Sequence, residues 1–401
     1  MNTIIETLHT QITDECDVLV AGGGVAGISA ALAAARQGAR VLLLEKQFML
    51  GGLATAGLVT IYLPLCDGTG QQVSFGIAEE LLKLSIRYGY EANYPKAWLE
   101  NGTQEEKIQT RYKVRYNAQL FAIAAEQLLR KEGVKILYGT AVCAVAKDNE
   151  KISAVIVENK SGRSAIKVKS VVDATGDADI CVMSGEETEL FRPGNILAAW
   201  YYYATNTGYF LKPLGAAEVP EEDRQEETQS LISRRFQGVT AEELSEMVQL
   251  AHDQVLVDFL SQKREDISYM PVTIASIPQI RMTRRIKGAY TIGTEDDHKD
   301  FPDSIGLISN WKKRGPIYEM PFGTLHGTSV KNLITVGRSI SATDAMWDVT
   351  RVIPACAVTG EAAGLAAAMT DDFIAIDICE LQSKLRENGV VLKAKNAFRA
   401  M

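Results

Sequence analysis

"VAGGGVAGIS", Val20 to Ser29, sets three glycines in a row and a fourth three residues on, between an apolar run and an alanine-rich one. Outward from it, "DVLVAG" (Asp17 to Gly22) reads as a short buried strand. "VAGISAALAAARQG" (Val25 to Gly38) reads as a helix with alanine on its packing face and glycine at its end. "ARVLLLEK" (Ala39 to Lys46) is a second buried strand, so the three segments make one βαβ unit. Within it Gly22, Gly24 and Gly27 spell G-x-G-x-x-G, with Ala31 a further small residue beyond them. The pattern asks for a tight turn, close backbone approach to a pyrophosphate, and close helix–strand contact, in that order. Glu45 closes the second strand about 18 residues beyond Gly27, where a carboxylate accepts the hydroxyls of an adenosine ribose. The glycine pattern alone is weak; with strand, helix, strand and acid in register it predicts a dinucleotide site, for which NAD and FAD remain equal candidates.

The composition narrows the partners. A chain of 401 residues with 46% hydrophobic content buries a large core and has room for two or three domains. Its net charge of −8 provides no basic field for nucleic acid or anionic lipid, which favours a small-molecule partner. The opening "MNTIIETLHTQITDECD" lacks the basic and apolar regions of a signal peptide, and no apolar run has the length of a membrane span. Cys16, Cys66, Cys143, Cys181, Cys356 and Cys379 form no C-x-x-C pair, which argues against iron–sulfur, zinc and dithiol centres and fits a reducing cytoplasm. They read as small buried hydrophobes, with Cys356 kept open because of the segment it lies in.

Three further segments separate the two dinucleotides. "FMLGGLATAG" (Phe48 to Gly57) puts a second glycine pair after the second strand. "KSVVDATGDADI" (Lys169 to Ile180) is an apolar strand ending in Ala-Thr-Gly. "NLITVGRSISATDAMWDVTRVIPACAVTGEAAGLAAAM" (Asn332 to Met369) runs from a strand through a Gly-Arg turn and a loop into a small-residue helix. Together with the glycine unit these resemble the FAD-dependent oxidoreductase family of the glutathione-reductase-type flavoprotein superfamily. The middle segments "PQIRMTRRIKGAY" and "YEMPFGTL" resemble it too.

The resemblance implies an α/β fold: a Rossmann-like FAD-binding domain of glutathione-reductase type with a second, α+β substrate domain. It implies that Gly22, Gly24 and Gly27, with Val25 and Ala26 between them, face the pyrophosphate, and that Glu45 and Lys46 lie by the adenosine ribose. Val142 would lie beside the adenine, Gly51 and Gly52 at the flavin end, and Thr175 and Gly176 along the cofactor. Gly337 and Arg338 would meet the pyrophosphate, Arg338 with its charge. "VTGEAAG" (Val358 to Gly364), with Gly360, would open a helix whose first amides favour the negative charge of reduced flavin.

The intervening sequence fits such a fold. "YNAQLFAIAAEQLLRKEG" (Tyr116 to Gly133) predicts an amphipathic helix, and Val134 to Gly176 four strand-like runs turning at "KDNEK" and "NKSGR". Residues 1–65, 105–190 and 327–401 are expected to form the FAD domain, and 66–104 with 191–326 a substrate-facing domain. In the latter, the run Glu218 to Glu227 reads as a solvated loop. The stretch from Thr240 predicts a helix opened by a capping box with Glu243. Its apolar face is Leu244, Met247, Val248, Ala251, Val255 and Phe259, which makes it a lid or core, and His252 gets no role.

"PQIRMTRRIKGAY" (Pro278 to Tyr290), read as a strand, puts Arg284 on an apolar face with Ile280, Met282 and Ile286, while Arg281 and Arg285 point the other way. A guanidinium there needs an anion, either a protein carboxylate or a substrate carboxylate. Asp344, Asp348 and Arg351 fall in the loop that resembles the flavin-covering segment; His326 reads as a surface histidine and Tyr318 as core.

No second G-x-G-x-x-G occurs, so a dedicated nicotinamide domain is not expected and the electron partner stays unassigned. The expected activity is hydride transfer between non-covalent FAD and a small organic substrate, anionic if it is a substrate carboxylate that meets Arg284, with Arg284 and Arg351 binding or polarising it and no metal. An RNA-modifying flavoprotein and a flavin-carrying subunit of a larger redox complex are the alternatives.

Overall fold

The computed structural model describes residues 3–90, 93–215 and 231–397, so the acidic run Glu218 to Glu227 lies outside the described residues. Strand β1 (Ile12–Ala21), helix α1 (Val25–Arg36) and strand β2 (Val41–Leu44) form the expected unit. β1 pairs with β2 in parallel from Val18↔Val41 to Ala21↔Leu44. Its other edge pairs in parallel with Gly162–Asp173, ending at Ala21↔Asp173. Val18, Leu19 and Val20 are thereby covered on both faces, which is why this strand is a continuous apolar run and does not alternate.

The four runs read after Gly133 are the strands Lys135–Leu137, Ala141–Asp148, Lys151–Asn159 and Gly162–Asp173. The first joins β2 in parallel, and the last three fold as an antiparallel meander. Leu333–Thr335 pairs in parallel with the end of Gly162–Asp173, completing a mixed seven-stranded sheet. The carboxyl ends of β1, β2, Gly162–Asp173 and Leu333–Thr335 therefore gather at one edge, where open α/β sheets bind ligands.

α1 packs against the helix Ile353–Met369 at unusually close range. A Cβ on Gly360 would lie 2.2 Å from the Ala26 carbonyl oxygen, and one on Gly364 2.1 Å from that of Ala30. These two glycines, one turn apart, let two backbones touch. This corrects the expectation that "VTGEAAG" opens a helix: the helix starts at Ile353, with Pro354 in its first turn, and Gly360 lies in its middle as a packing residue.

The same core takes in the helix Ile77–Ser85 and the hairpin of Ser304–Ser309 with Ile317–Pro321. The N-terminal residue before the former helix is Gly76, which has no side chain to cap it. Glu361 does so instead: buried in the helix Ile353–Met369, its Oε2 accepts the Ile77 amide at 2.8 Å. Burial pushes this carboxyl up to about 7, with Glu80 also raising it and Arg36 opposing. A folded value above the unfolded one means the charged form costs stability, which falls as pH rises from about 4.5 to about 7 and stays lower above. Glu361→Gln keeps an acceptor and removes the charge. Its melting temperature relative to the parent should rise between pH 5 and pH 8, by the equivalent of up to about 3 kcal/mol; an equal difference at both pH values overturns this.

A smaller antiparallel sheet, in the order Gly208–Lys212, Tyr201–Thr205, Met270–Ile274, is flanked by the helix Ala241–Glu265. Met247 and Val255 of that helix are buried, as its apolar face predicts. Only half of the expected capping box forms. Thr240 accepts the Glu243 amide, whereas the Glu243 carboxylate turns back to the amides of Gln237 and Gly238. No single helix among the described residues is long and apolar enough to cross a membrane.

Candidate functional site: a dinucleotide cavity at the sheet edge

The glycines of the opening stretch are needed for different physical reasons. Gly22 has φ +111°, and a Cβ there would lie 2.3 Å from the Ala174 carbonyl oxygen; a Cβ on Gly27 would lie 1.9 Å from the Gly22 carbonyl oxygen. Both are excluded by the protein itself. Gly24 is the opposite case: it caps α1 with φ −66° and ψ 176°, open to any residue, and a Cβ there meets nothing within 4 Å. Its bareness keeps a space clear at the start of the helix. Gly23, which the spacing pattern left without a role, donates its amide to Glu45 Oε2 at 2.8 Å. Glu45 Oε1 accepts from the Gln47 amide at 2.7 Å, so the buried carboxylate braces the turn and keeps lone pairs for a hydroxyl.

That space belongs to a cavity of about 570 Å³. One end is walled by Glu45, Lys46, Thr140 and Val142, the middle by Gly22, Gly24, Val25, Ala26, Gly51, Gly52, Thr175, Gly176, Gly337 and Arg338. The far end holds Ser276 to Pro278, Arg351, Ile353 and Cys356. Gly51 is tied to the glycine turn, its amide donating to the Gly23 carbonyl at 2.7 Å, so both glycine pairs line one passage. Arg338 reaches the middle because Gly176 has no side chain, a Cβ there lying 2.6 Å from Nη2. Its guanidinium donates to Asp177 at 3.2 Å and to the Arg281 carbonyl at 2.9 Å. The residues fit a dinucleotide: amides and a helix start in the middle, a carboxylate at one end, a cation at the other.

At the far end the helix Ile353–Met369 begins two residues after Arg351, and Ile353 and Cys356 of its first turn, not Gly360, line the cavity. Arg351 Nε donates to Asp348 Oδ1 at 2.8 Å. Cys356 lines the same end, and its thiol donates to the Arg351 carbonyl. Burial pushes that thiol up to about 12 although Arg338 and Arg351 pull it down.

The alternating strand over Pro278 to Tyr290 is not formed; only Arg284–Ile286 is a strand, paired with Thr188–Leu190. Without the long strand the apolar stripe that singled out Arg284 does not exist. Arg284 lies outside the cavity lining and faces Asp179 at 3.7 Å, while Asp179 itself lines the wall. Burial, then Asp177, raise the Asp179 carboxyl to about 6, against the pull of Arg284. The deeply buried guanidinium is its neighbour Arg285, 8% exposed at the side chain, bonded to Asp344 at 2.6 Å and Glu189 at 3.0 Å and lying 4.7 Å over the Trp347 ring. Arg285→Met is expected to cost about 2–3 kcal/mol, and Arg284→Met less than about 1 kcal/mol, read by thermal melts of the two variants. A larger loss for Arg284 overturns the ranking. His326 is buried, not on the surface: its Nδ1 meets the Gly327 carbonyl at 2.8 Å and burial lowers its pKa. Tyr318 is core, as read from the sequence.

Asp173 belongs to the site although no motif marks it. Fully buried, it accepts from the Thr175 amide and hydroxyl and from the amides of Ile180 and Cys181, shaping the turn that presents Thr175 and Gly176. An Asp closing an apolar strand two residues before a Thr is the local signal that could have found it.

A family model described as FAD dependent oxidoreductase matches residues 17–199 and 191–385. The chain belongs to that family. This FAD-dependent oxidoreductase is a nucleotide-binding flavoprotein with FAD as its cofactor. It is 36% identical over 76 residues to a thioredoxin reductase of Ureaplasma parvum, a match covering 19% of this chain and 25% of that one. The match thus spans a quarter of the curated relative's length. Among solved structures, a geranylgeranyl bacteriochlorophyll reductase-like protein of Thermoplasma acidophilum is 14% identical, covering 93% of this chain and 84% of that one at a TM-score of 0.46. A p-nitrophenol 4-monooxygenase of Pseudomonas putida is 13% identical, covering 94% and 82% at a TM-score of 0.43.

Proposed function

We propose that this flavoenzyme transfers a hydride between non-covalently held FAD and a small organic substrate bearing an anionic group, on a glutathione-reductase-type FAD domain. The observation that carries the reading is one continuous cavity running from Glu45 and Val142, past the bare Gly24, to Arg351 and the start of the helix Ile353–Met369. Bound FAD supplies the two-electron chemistry; the residues of the chain bind, orient and set charge. Glu45 would accept the ribose hydroxyls, Gly24 and Arg338 would admit and neutralise the pyrophosphate, and Gly51 and Gly52 would lie flat along the path to the ring. Arg351 would bind or polarise the anionic group, while Arg284 would act on the cavity wall through Asp179. The raised pKa of Cys356 makes its thiol a poor nucleophile, which supports non-covalent holding. The smaller sheet, Tyr201–Thr205 with its neighbours, and the helix Ala241–Glu265 are proposed as the substrate-facing layer. Six free cysteines suit a reducing cytoplasm.

The test is direct. The purified protein should be yellow, heat should release FAD, and anaerobic screening should find a carboxylate-bearing alcohol or alkane-type donor that bleaches the flavin band while its uncharged ester does not. A colourless protein that binds NAD and cannot be reconstituted with FAD overturns the assignment. Bleaching by the ester as readily as by the acid overturns the anionic substrate.

A further inference from the structure

We infer that Asp348 is a positioning residue that clamps the Arg351 guanidinium and the Lys312 ammonium together at the flavin end of the cavity, and thereby sets how strongly that end favours reduced flavin. The inference rests on the proposed orientation of FAD, with its ring toward Arg351.

The clamp is built from two distant pieces of chain. Asp348 lies in the last turn of the helix Asp344–Thr350, and Arg351 is the residue that closes that helix, so their spacing brings the two side chains onto one face. Asp348 Oδ1 accepts from Arg351 Nε at 2.8 Å and from Nη2. Oδ2 is taken by Lys312 Nζ, which comes from the loop after Ser304–Ser309. Trp311 fixes that loop to the helix, its indole N–H donating to the Asp348 carbonyl at 3.0 Å while its ring lies 5.2 Å beneath Lys312 Nζ. Two cations therefore share the Asp348 carboxylate.

The three side chains are 10%, 15% and 22% exposed, so solvent screens them weakly. The helix Ile353–Met369 starts beside them and adds the positive end of its dipole in the same place. Positive potential favours a negatively charged ring, so the balance of this triad should move the flavin potential in a direction fixed by charge alone. Neutralising Asp348 removes a negative charge from this end of the cavity; neutralising Lys312 removes a positive one.

The experiment equilibrates the FAD-loaded protein anaerobically with a reference redox dye and reads the ratio of reduced to oxidised flavin. Asp348→Asn should move that ratio toward reduced flavin by about threefold or more, and Lys312→Met should move it toward oxidised flavin by a similar factor. Asp348→Glu, which keeps the charge, should stay within about twofold of the parent. A packing role alone would not give shifts of opposite sign, so two unchanged ratios, or two shifts of the same sign, overturn the clamp. If Asp348→Asn does not fold, Lys312→Met decides alone: a shift toward oxidised flavin supports the clamp and any other result overturns it. A parent protein that takes up no FAD overturns the functional reading and the clamp with it, whereas a flavin-loaded parent with unshifted variants overturns the clamp only.

Discussion

Gly24→Val is expected to give a folded, colourless protein. The backbone at Gly24, φ −66° and ψ 176°, is one that a β-branched residue adopts readily, and a Cβ there touches no protein atom. The local cost is that of a poorer helix cap, about 1 kcal/mol. The valine methyls would fill the space at the start of α1 that we propose for the cofactor's pyrophosphate, at a cost of about 3 kcal/mol or more, which is about a hundredfold in affinity. Far-ultraviolet circular dichroism of the apoprotein should match that of parent apoprotein and its melting temperature should fall by no more than about 2 °C, while flavin absorbance after purification should be absent. The neighbouring glycines provide the contrast. At Gly22 and Gly27 an added Cβ would meet the Ala174 and Gly22 carbonyl oxygens at 2.3 and 1.9 Å, so Gly22→Ala and Gly27→Ala should damage the fold as well as the binding. Normal flavin occupancy in Gly24→Val would show that the cofactor takes another path.

Asp173→Ala should be the most destabilising single change at the site. It removes the acceptor for four donors at once, two on Thr175 and one each on Ile180 and Cys181, in a place with no solvent to replace it. The expected loss is about 3–5 kcal/mol, since each buried donor left unsatisfied costs about 1–3 kcal/mol and the turn relaxes to recover part of it. In a chain of this size that lowers the melting temperature by roughly 5 °C. Because Thr175 and Gly176 line the cavity, flavin occupancy should fall in parallel, and excess FAD should restore part of both by mass action. Asp173→Asn keeps the shape but offers an amide N–H where Ile180 or Thr175 already donates, so it should recover less than half of the loss. A melt unchanged in Asp173→Ala would mean that the turn holds without it.

The sequence by itself determined the framework and picked out many of the residues that line the cavity. The βαβ unit, the four strands after Gly133 and the glycine pair after β2 follow from local rules: two-sided burial makes a strand uniformly apolar, and a backbone that must pass close to something carries glycine. Those rules act within a few residues, and the sequence reports them faithfully. It went astray where a residue's meaning depends on what arrives from elsewhere. Gly360 read as a helix start because glycine there has no local explanation; its reason is the Ala26 carbonyl of α1, more than three hundred residues away in the chain. Arg284 was singled out over Arg285 by an alternation that requires a long strand, and the partner strand Thr188–Leu190 supports only Arg284–Ile286, so burial passed to Arg285. Glu361 capping Ile77, and Lys312 meeting Asp348, are of the same kind. Charge pairs and caps formed across the fold carry no spacing signal, because a carboxylate fixes neither the sequence position of its partner nor the direction from which it comes; the tertiary structure alone decided them.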